Sequence, residues 1–200
     1  MKFLLGVDEA GRGPLAGPVS VGVVLVPEGF DVAREFPGVD DSKKLTEGKR
    51  EKLYELLVER AARGDLAFTV ELESAATIDK IGIAPAVRRA LDRGVHTLAQ
   101  DVRLTKSNID IHILLDGALR APSAYSQETI VHGDALVPLI GLASIAAKVT
   151  RDRLMVELAR EYPAYGFEKH KGYGTSAHYE ALQKQGLSAI HRRTFTHLHK

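Results

Sequence analysis

Apolar stretches along the chain predict five short strands. Residues 3–7 and 19–26 are rich in Leu and Val, and the Gly- and Pro-rich segment between them predicts a turn that joins adjacent strands. Residues 65–72 alternate as a half-buried strand does, and 109–115 form a strongly apolar run. Residues 128–131 form a further short strand. The pattern predicts strands first and then strands mixed with helices.

Helical spacing of apolar positions accounts for most of the remaining chain. Residues 46–63 place Leu53, Leu56 and Leu57 on one face and charged residues on the other. Further helices are predicted over 84–102, 138–162 and 176–185, and the Gly-, Tyr- and Lys-rich residues 162–174 are predicted to be a loop. We therefore expect an α/β fold in which helices flank a mixed β-sheet, with a small helical C-terminal part.

Composition narrows the class of protein. With 200 residues, 44% hydrophobic and 26% charged, the chain is long enough for a single globular domain over residues 1–200. The absence of cysteine excludes disulfides and thiolate zinc sites. The first apolar run is too short for a signal peptide or a membrane helix, so we expect a cytoplasmic protein that does not enter membranes.

The net charge is only +1, but the charged residues are unevenly distributed along the chain. From Leu142 to Lys200 there are ten Lys or Arg residues against five Asp or Glu, and five of the eight histidines. Such a basic half could lie along a polyanion, or it could be an ordinary basic surface.

Four acidic residues follow predicted strand ends. Asp8 and Glu9 end the first strand, Asp116 ends the run ILLD, and Asp134 follows a short strand and a glycine. If these ends are adjacent, the crowded negative charges need a cation, and carboxylate oxygens suit Mg²⁺ or Mn²⁺. Two such ions can activate water and stabilise the leaving oxygen of a phosphodiester. Taken singly, each acid is better explained as a turn or cap residue, whereas the spacing of the set leaves both interpretations open.

The glycine-rich turn after Glu9 superficially matches a dinucleotide-binding fingerprint, since residues 11–16 read GRGPLA. That fingerprint requires a helix after the turn, whereas VSVGVVLV at 19–26 predicts a strand. We therefore do not expect a nucleotide cofactor. The glycines serve either a tight turn or the close approach of backbone to a ligand.

Seven motifs in a fixed order resemble the ribonuclease HII (type 2 ribonuclease H) family over nearly the whole chain. They are DEAGRGPLAGPV at 8–19, DSKKL at 41–45, LLDG at 114–117, GD at 133–134, ASIAAKVTRD at 143–152, KHKGYGT at 169–175 and IHRR at 190–193. The resemblance implies a ribonuclease H-like fold. It also implies that Asp8, Glu9, Asp116 and Asp134 are the catalytic acids and hold two Mg²⁺ or Mn²⁺ ions with substrate.

The resemblance further implies how substrate is recognised. Gly11, Arg12 and Gly13 would form a turn that senses the ribose 2′-OH through backbone groups, which fits the need for close approach. Tyr173 would pack on the sugar beside the scissile phosphate. The candidates for phosphate contacts, which could equally be solvated or structural charges, are Lys43, Lys148 and Arg151.

The implied activity is that of an endonuclease that cuts at ribonucleotides, in RNA/DNA hybrids and at single ribonucleotides in duplex DNA, leaving 5′-phosphate and 3′-hydroxyl ends. It would remove RNA primers or misincorporated ribonucleotides. The partner would be nucleic acid, the chain a monomer, and roughly the last 40 residues a loop and helical substrate-binding extension.

Two other functions use the same residues. A metal enzyme acting on a phosphorylated small molecule could use the same acids, although Tyr173 and the basic C-terminal half favour a polymer. A nucleic-acid binding module without catalysis would have no use for acids that repel a polyanion unless metal is bound.

Overall fold

The residues described by this computed structural model, 1–40, 42–105 and 108–196, are organised around a five-stranded sheet. The strands are β1 (Lys2–Ala10), β2 (Val19–Pro27), β3 (Ala67–Glu73), β4 (Asp110–Asp116) and β5 (Ser126–Ile130). Their order is β3-β2-β1-β4-β5; β1 is antiparallel to β2 and parallel to β4, and β5 is parallel to β4. The predicted mixed sheet is confirmed.

Helices cover both faces of this sheet. They are α1 (Val32–Glu35), α2 (Glu47–Ala62), α3 (Ala75–Ile81), α4 (Ile83–Thr105), α5 (Gly133–Leu136), α6 (Pro138–Glu161), α7 (Phe167–His170) and α8 (Ser176–Gln185). One apolar cluster joins α4 to the first face through residues such as Leu91 and Val23. A second joins α2 and α6 to the other face through Leu57 and Leu142.

Helix α6 contacts both the sheet and the C-terminal part, because the first half of its sequence is apolar and the second half is charged. Pro138 starts it, at the position where a missing N–H costs nothing. Residues 139–147 are all buried, whereas the later, charged half alternates buried and exposed positions. The first half therefore packs on the sheet, and the second half reaches the C-terminal part of the chain.

A third apolar cluster attaches the C-terminal part to the Gly-rich turn. Its members include Leu15 from the turn, Met155 from α6, Phe167 from α7 and Leu182 from α8. Part of the predicted loop over 162–174 is helical: it contains a 3₁₀ turn at Pro163–Tyr165 and then α7. These segments are too short to show helical periodicity in the sequence, so the loop prediction was wrong there.

Smaller differences concern element ends and short helices. The fifth strand is Ser126–Ile130 rather than 128–131, and α1, α3 and α5 were not predicted. Asp41 of the DSKKL motif lies outside the described residues. Among the residues that are described, no helix combines the length and apolar composition needed to cross a bilayer.

Candidate active site

Three aspartates meet at one edge of the sheet. Asp8 lies near the end of β1 and Asp116 ends β4, and these parallel neighbours deliver their carboxyl ends to the same edge. Asp134 comes from α5, and its backbone N–H donates to Oδ1 of Asp116 at 3.2 Å. One carboxylate oxygen from each aspartate lies within 4.8 Å of the other two. The ends of β1 and β4, together with the short helix α5, therefore bring together three of the four acids that the sequence singled out.

Glu9 lies beside this group of three rather than within it. Its Oε1 accepts a hydrogen bond from Nη1 of Arg12 at 3.3 Å. Its Oε2 is buried, with no hydrogen-bond partner in the described part of the chain. Burial raises the pKa of Glu9, although Arg12 opposes that rise. A buried carboxylate oxygen without a donor is costly unless a proton or a cation satisfies it.

Asp8 has the most perturbed carboxyl group of the site. Its exposure is 3%, and burial together with the neighbouring charges of Glu9 and Asp116 raises its pKa to about 8. A hydrogen bond with the side chain of Ser144 opposes that rise. An all-oxygen, buried and mutually repelling set of carboxylates is the donor set that a hard divalent cation suits, so these residues fit Mg²⁺ or Mn²⁺.

Two serines next to Asp8 were not predicted from the sequence to belong to the site. Ser144 is a buried polar residue of α6, and its Oγ lies 2.7 Å from the Oγ of buried Ser42. The one available signal was a serine in the otherwise apolar stretch ASIAA, where a buried hydroxyl must have a partner. The pair links α6 and the DSKKL segment to the acidic edge.

Two glycines of the glycine-rich turn, Gly11 and Gly13, differ in whether the fold requires a glycine at that position. Gly11 has φ +86°, and a Cβ on it would lie 2.1 Å from Nε of Arg151, so the fold itself requires this glycine. Gly13 has an ordinary φ, and a Cβ there would have no atom within 4 Å. The fold does not require Gly13, which leaves the approach of a ligand as the predicted reason for it.

Arg151 does not have the surface position that a phosphate contact needs. It is fully buried, with 0% exposure. Its Nε donates to the carbonyl of Pro18 at 2.8 Å and its Nη2 to that of Ala16 at 3.2 Å. The prediction of a phosphate contact by Arg151 was wrong, because its guanidinium is buried and donates to backbone carbonyls of the glycine-rich turn.

Tyr173 lies in the segment between α7 and α8, and 42% of its surface is exposed. Nζ of Lys148 and Cζ of Arg151 are each 5.9 Å from the ring centroid. A cavity of about 240 Å³ beside the ring is also lined by Lys169 and Lys171. An exposed ring next to a basic cavity is compatible with the predicted contact to a sugar–phosphate backbone.

The two lysines predicted to contact phosphates differ in how exposed their side chains are. Lys148 is mostly buried and donates to Oδ1 of Asp152 at 2.7 Å, and burial lowers its pKa. Lys43 is exposed, and its Nζ lies 3.5 Å from Oδ2 of Asp134. Lys43 is therefore next to the acidic cluster, whereas Lys148 lies under the ring of Tyr173. Their predicted phosphate contacts stay predictions.

A second fully buried arginine was not singled out from the sequence. Arg192, in the IHRR motif, donates from Nη2 to the carbonyl of Gly11 at 2.7 Å and from Nη1 to that of Arg12 at 2.8 Å. In the sequence this residue belonged to the IHRR motif and to the basic C-terminal half, and no role of its own was assigned to it. Nothing in the local pattern indicated that its partners were carbonyls 180 and 181 residues away.

Comparisons with known proteins agree on one family. The family model described as Ribonuclease HII matches residues 5–198. A ribonuclease HII of Endomicrobium trichonymphae is 47% identical over 193 residues, 96% of this chain and 84% of that protein. The crystal structure of ribonuclease H2 from Pyrococcus horikoshii OT3 gives a TM-score of 0.68 at 30% identity, covering 96% of this chain and 93% of that one.

A more distant structure shares the fold. The crystal structure of Bst-RNase HIII in complex with Mn²⁺ gives a TM-score of 0.67 at 16% identity, covering 92% of this chain and 63% of that one. At that identity the likeness extends to the fold alone.

Proposed function

Because the chain belongs to the ribonuclease HII family and is therefore a ribonuclease, we propose that it hydrolyses phosphodiester bonds at ribonucleotides in two settings. These are RNA/DNA hybrids and single ribonucleotides embedded in duplex DNA. The products would carry 5′-phosphate and 3′-hydroxyl ends. Removal of RNA primers or of misincorporated ribonucleotides would be its role.

The observation that carries the proposal is the crowding of Asp8, Asp116 and Asp134 within 4.8 Å at the sheet edge. With Glu9, whose buried Oε2 has no partner in the described residues, these acids would hold two divalent ions. When bound, such ions would activate water and stabilise the leaving oxygen of a phosphodiester. Mn²⁺ is bound by Bst-RNase HIII, which shares the fold, and either Mg²⁺ or Mn²⁺ fits an all-oxygen donor set.

Recognition of the ribonucleotide would fall to residues beside the acids. The turn at Gly11–Gly13 follows β1 directly, so it lies next to the proposed metal ligands along the chain. A ribose differs from a deoxyribose only at the 2′-OH, so backbone groups of this turn would supply the discrimination. Tyr173 and the lysines around it would hold the sugar and phosphates without reading sequence.

The decisive experiment uses a duplex DNA with one embedded ribonucleotide and maps the cut site. The expected result is a single cut at the ribonucleotide in Mg²⁺ or Mn²⁺, with none in chelator and none on the matching all-DNA duplex. The isosteric Asp134→Asn variant is the matched control, since it removes one ligand charge. Cleavage in chelator, or hydrolysis of small phosphate esters with an intact duplex, would overturn the proposal.

The remaining expectations belong to the proposal as well. We propose that the chain acts as a monomer on nucleic acid in the cytoplasm. Sedimentation with and without the duplex would test the first point, and a protein that sediments as a stable dimer in both conditions would contradict it.

A further inference from the structure

In the described residues, the side-chain hydrogen bonds of Arg192 all go to the glycine-rich turn. Besides the carbonyls of Gly11 and Arg12, it donates from Nε to the carbonyl of Gly17 at 3.0 Å. Its own backbone N–H donates to the carbonyl of Leu15 at 2.8 Å. One side chain with 0% exposure therefore fixes both ends of the turn that contains the GRG motif.

The side chain of Arg192 is buried and forms no ion pair with a carboxylate of the described residues. Burial, with the nearby charge of Arg151, lowers its pKa to about 9, although Tyr173 and Asp79 oppose that change. A buried cation is costly unless it is well hydrogen-bonded. Here the guanidinium directs all of its hydrogen bonds to backbone oxygens, and charge-assisted bonds of this kind are stronger than neutral ones.

Binding of these two carbonyls determines where the next amides point. The peptide bonds are trans, so the C=O and N–H of one peptide unit point in opposite directions. The carbonyl of Gly11 points inward to Arg192, so the N–H of Arg12 points outward. The same holds for the carbonyl of Arg12 and the N–H of Gly13.

Within the described residues these two amides have no acceptor. Neither the N–H of Arg12 nor that of Gly13 makes a hydrogen bond to any residue in 1–40, 42–105 or 108–196. Both residues are exposed, and the side-chain position of Gly13 is open. Two neighbouring unpaired donors that face solvent from a braced backbone form a preorganised site for an oxygen ligand.

We propose that Arg192 is a positioning residue, which holds the carbonyls of Gly11 and Arg12 inward so that the following two amides donate to the ribose hydroxyl of the substrate. This inference rests on the proposed function. The planar fork of arginine is needed because it reaches both carbonyls at once, whereas a lysine ammonium is a compact charge on a flexible stem. Polarisation of each carbonyl also makes the attached amide a better donor.

Two variants of adjacent residues test the proposal. Arg192→Lys keeps the buried charge but loses the fork, and Arg193→Lys makes the same change in an exposed neighbour. For Arg192→Lys we expect kcat/KM on the single-ribonucleotide duplex to fall about tenfold, or about 1.4 kcal/mol. The inhibition constant of an all-DNA duplex should stay within about twofold, because phosphate contacts lie elsewhere. Arg193→Lys should change neither quantity.

A purely structural role gives a different result. Arg192→Lys would then melt earlier but, assayed well below its melting temperature, would keep the wild-type kcat/KM, and this result would overturn the proposal. The outcome is distinct from failure of the proposed function, in which the wild type itself would not cleave the ribonucleotide duplex.

A measurement on the wild type covers the case in which Arg192→Lys does not fold. Amide hydrogen exchange, followed by NMR in chelator, should be fast at Arg12 and Gly13. Adding the single-ribonucleotide duplex should slow it, and the all-DNA duplex should not. Slow exchange in the free protein would show that these amides already have a partner, and equal slowing by both duplexes would show that they do not sense the hydroxyl. Either result would refute the inference.

Discussion

Replacing His191 by glutamine is expected to make the fold less sensitive to acid, because His191 is part of a chain of hydrogen bonds that has no place for an added proton. Nδ1 of His191 lies 2.9 Å from the backbone N–H of Ser188, which can only donate. Nε2 of His191 lies 3.0 Å from Nε2 of His178, and Nδ1 of His178 lies 2.9 Å from the carbonyl of Tyr173, which can only accept. The donor at one end of this hydrogen-bond chain and the acceptor at the other therefore fix the tautomers of both rings, with both rings neutral.

The pKa values of this pair give the expected size of the effect. Burial, together with His178, lowers the pKa of His191 from 6.5 to about 4, and burial also lowers that of His178. Because the unfolded chain takes up a proton more readily than the folded one, the stability from neutral His191 is present above pH 6.5 and is lost as pH falls toward 4. Between pH 7.5 and pH 5.0 this loss is about 2 kcal/mol.

The assay is urea unfolding at pH 7.5 and at pH 5.0, in chelator, of the wild type, His191→Gln and His96→Gln. His96 is an exposed residue of α4 and serves as the control. His191→Gln should be less stable at pH 7.5, because the ring packs 4.9 Å from that of Tyr165, but its loss on acidification should be about 2 kcal/mol smaller than that of the wild type. His96→Gln should behave as the wild type.

The comparison between variants is needed because another group acts in the opposite sense. The pKa of Asp8 is raised to about 8, so the metal-free protein is stabilised by protonation of Asp8 as pH falls. That contribution is common to all three proteins and cancels in the difference. An acid-induced loss that is the same in His191→Gln as in the wild type would refute the argument from tautomers.

Three further predictions concern the site. Asp8→Asn should lower the cleavage rate about a hundredfold or more in Mg²⁺. It should also raise the melting temperature of the metal-free protein at pH 8, because it removes a buried repelling charge, and a lower melting temperature would contradict this. Gly13→Val should keep the wild-type melting temperature and lose cleavage, whereas Gly11→Ala should melt earlier, and unchanged kinetics of Gly13→Val would leave only a turn role. Tyr173→Ala should lower kcat/KM about tenfold on a single ribonucleotide and Tyr173→Phe much less, while a folded, fully active alanine variant would exclude the role of the ring.

The acidic edge could be predicted from the sequence because its cause is local. An apolar run that stops on an acid, such as ILLD before Gly117, indicates a buried strand that ends at the sheet edge. Parallel pairing of β1 and β4 then brings Asp8 and Asp116 together. The position of Glu9 beside that group could not be predicted, because it depends on how the chain leaves β1 toward Arg12.

The buried arginines could not be predicted, because their cause lies far away in the chain. In a sequence, Arg151 and Arg192 contribute to a basic stretch that is typical of a solvated surface. Their partners are carbonyls of the turn around Gly11 to Pro18, 133 to 181 residues distant. A turn rich in Gly and Pro leaves many backbone carbonyls unpaired, and a structure must supply donors for them. Only the fold shows which residues do so.

The acidic cluster and the glycine-rich turn are held in place by different parts of the chain. Asp8 and Asp116 are carried by the sheet and Asp134 by α5. The glycine-rich turn is held by Arg151 from α6 and by Arg192 from the C-terminal segment. The segment around residue 191 also pairs with Ala16 as an isolated antiparallel bridge. If the turn senses the ribose as proposed, the C-terminal residues would affect recognition without touching substrate, since they fix the shape of the turn. A change there should alter which nucleic acid is selected more than it alters the acidic cluster, because the acidic cluster is braced by β1, β4 and α6.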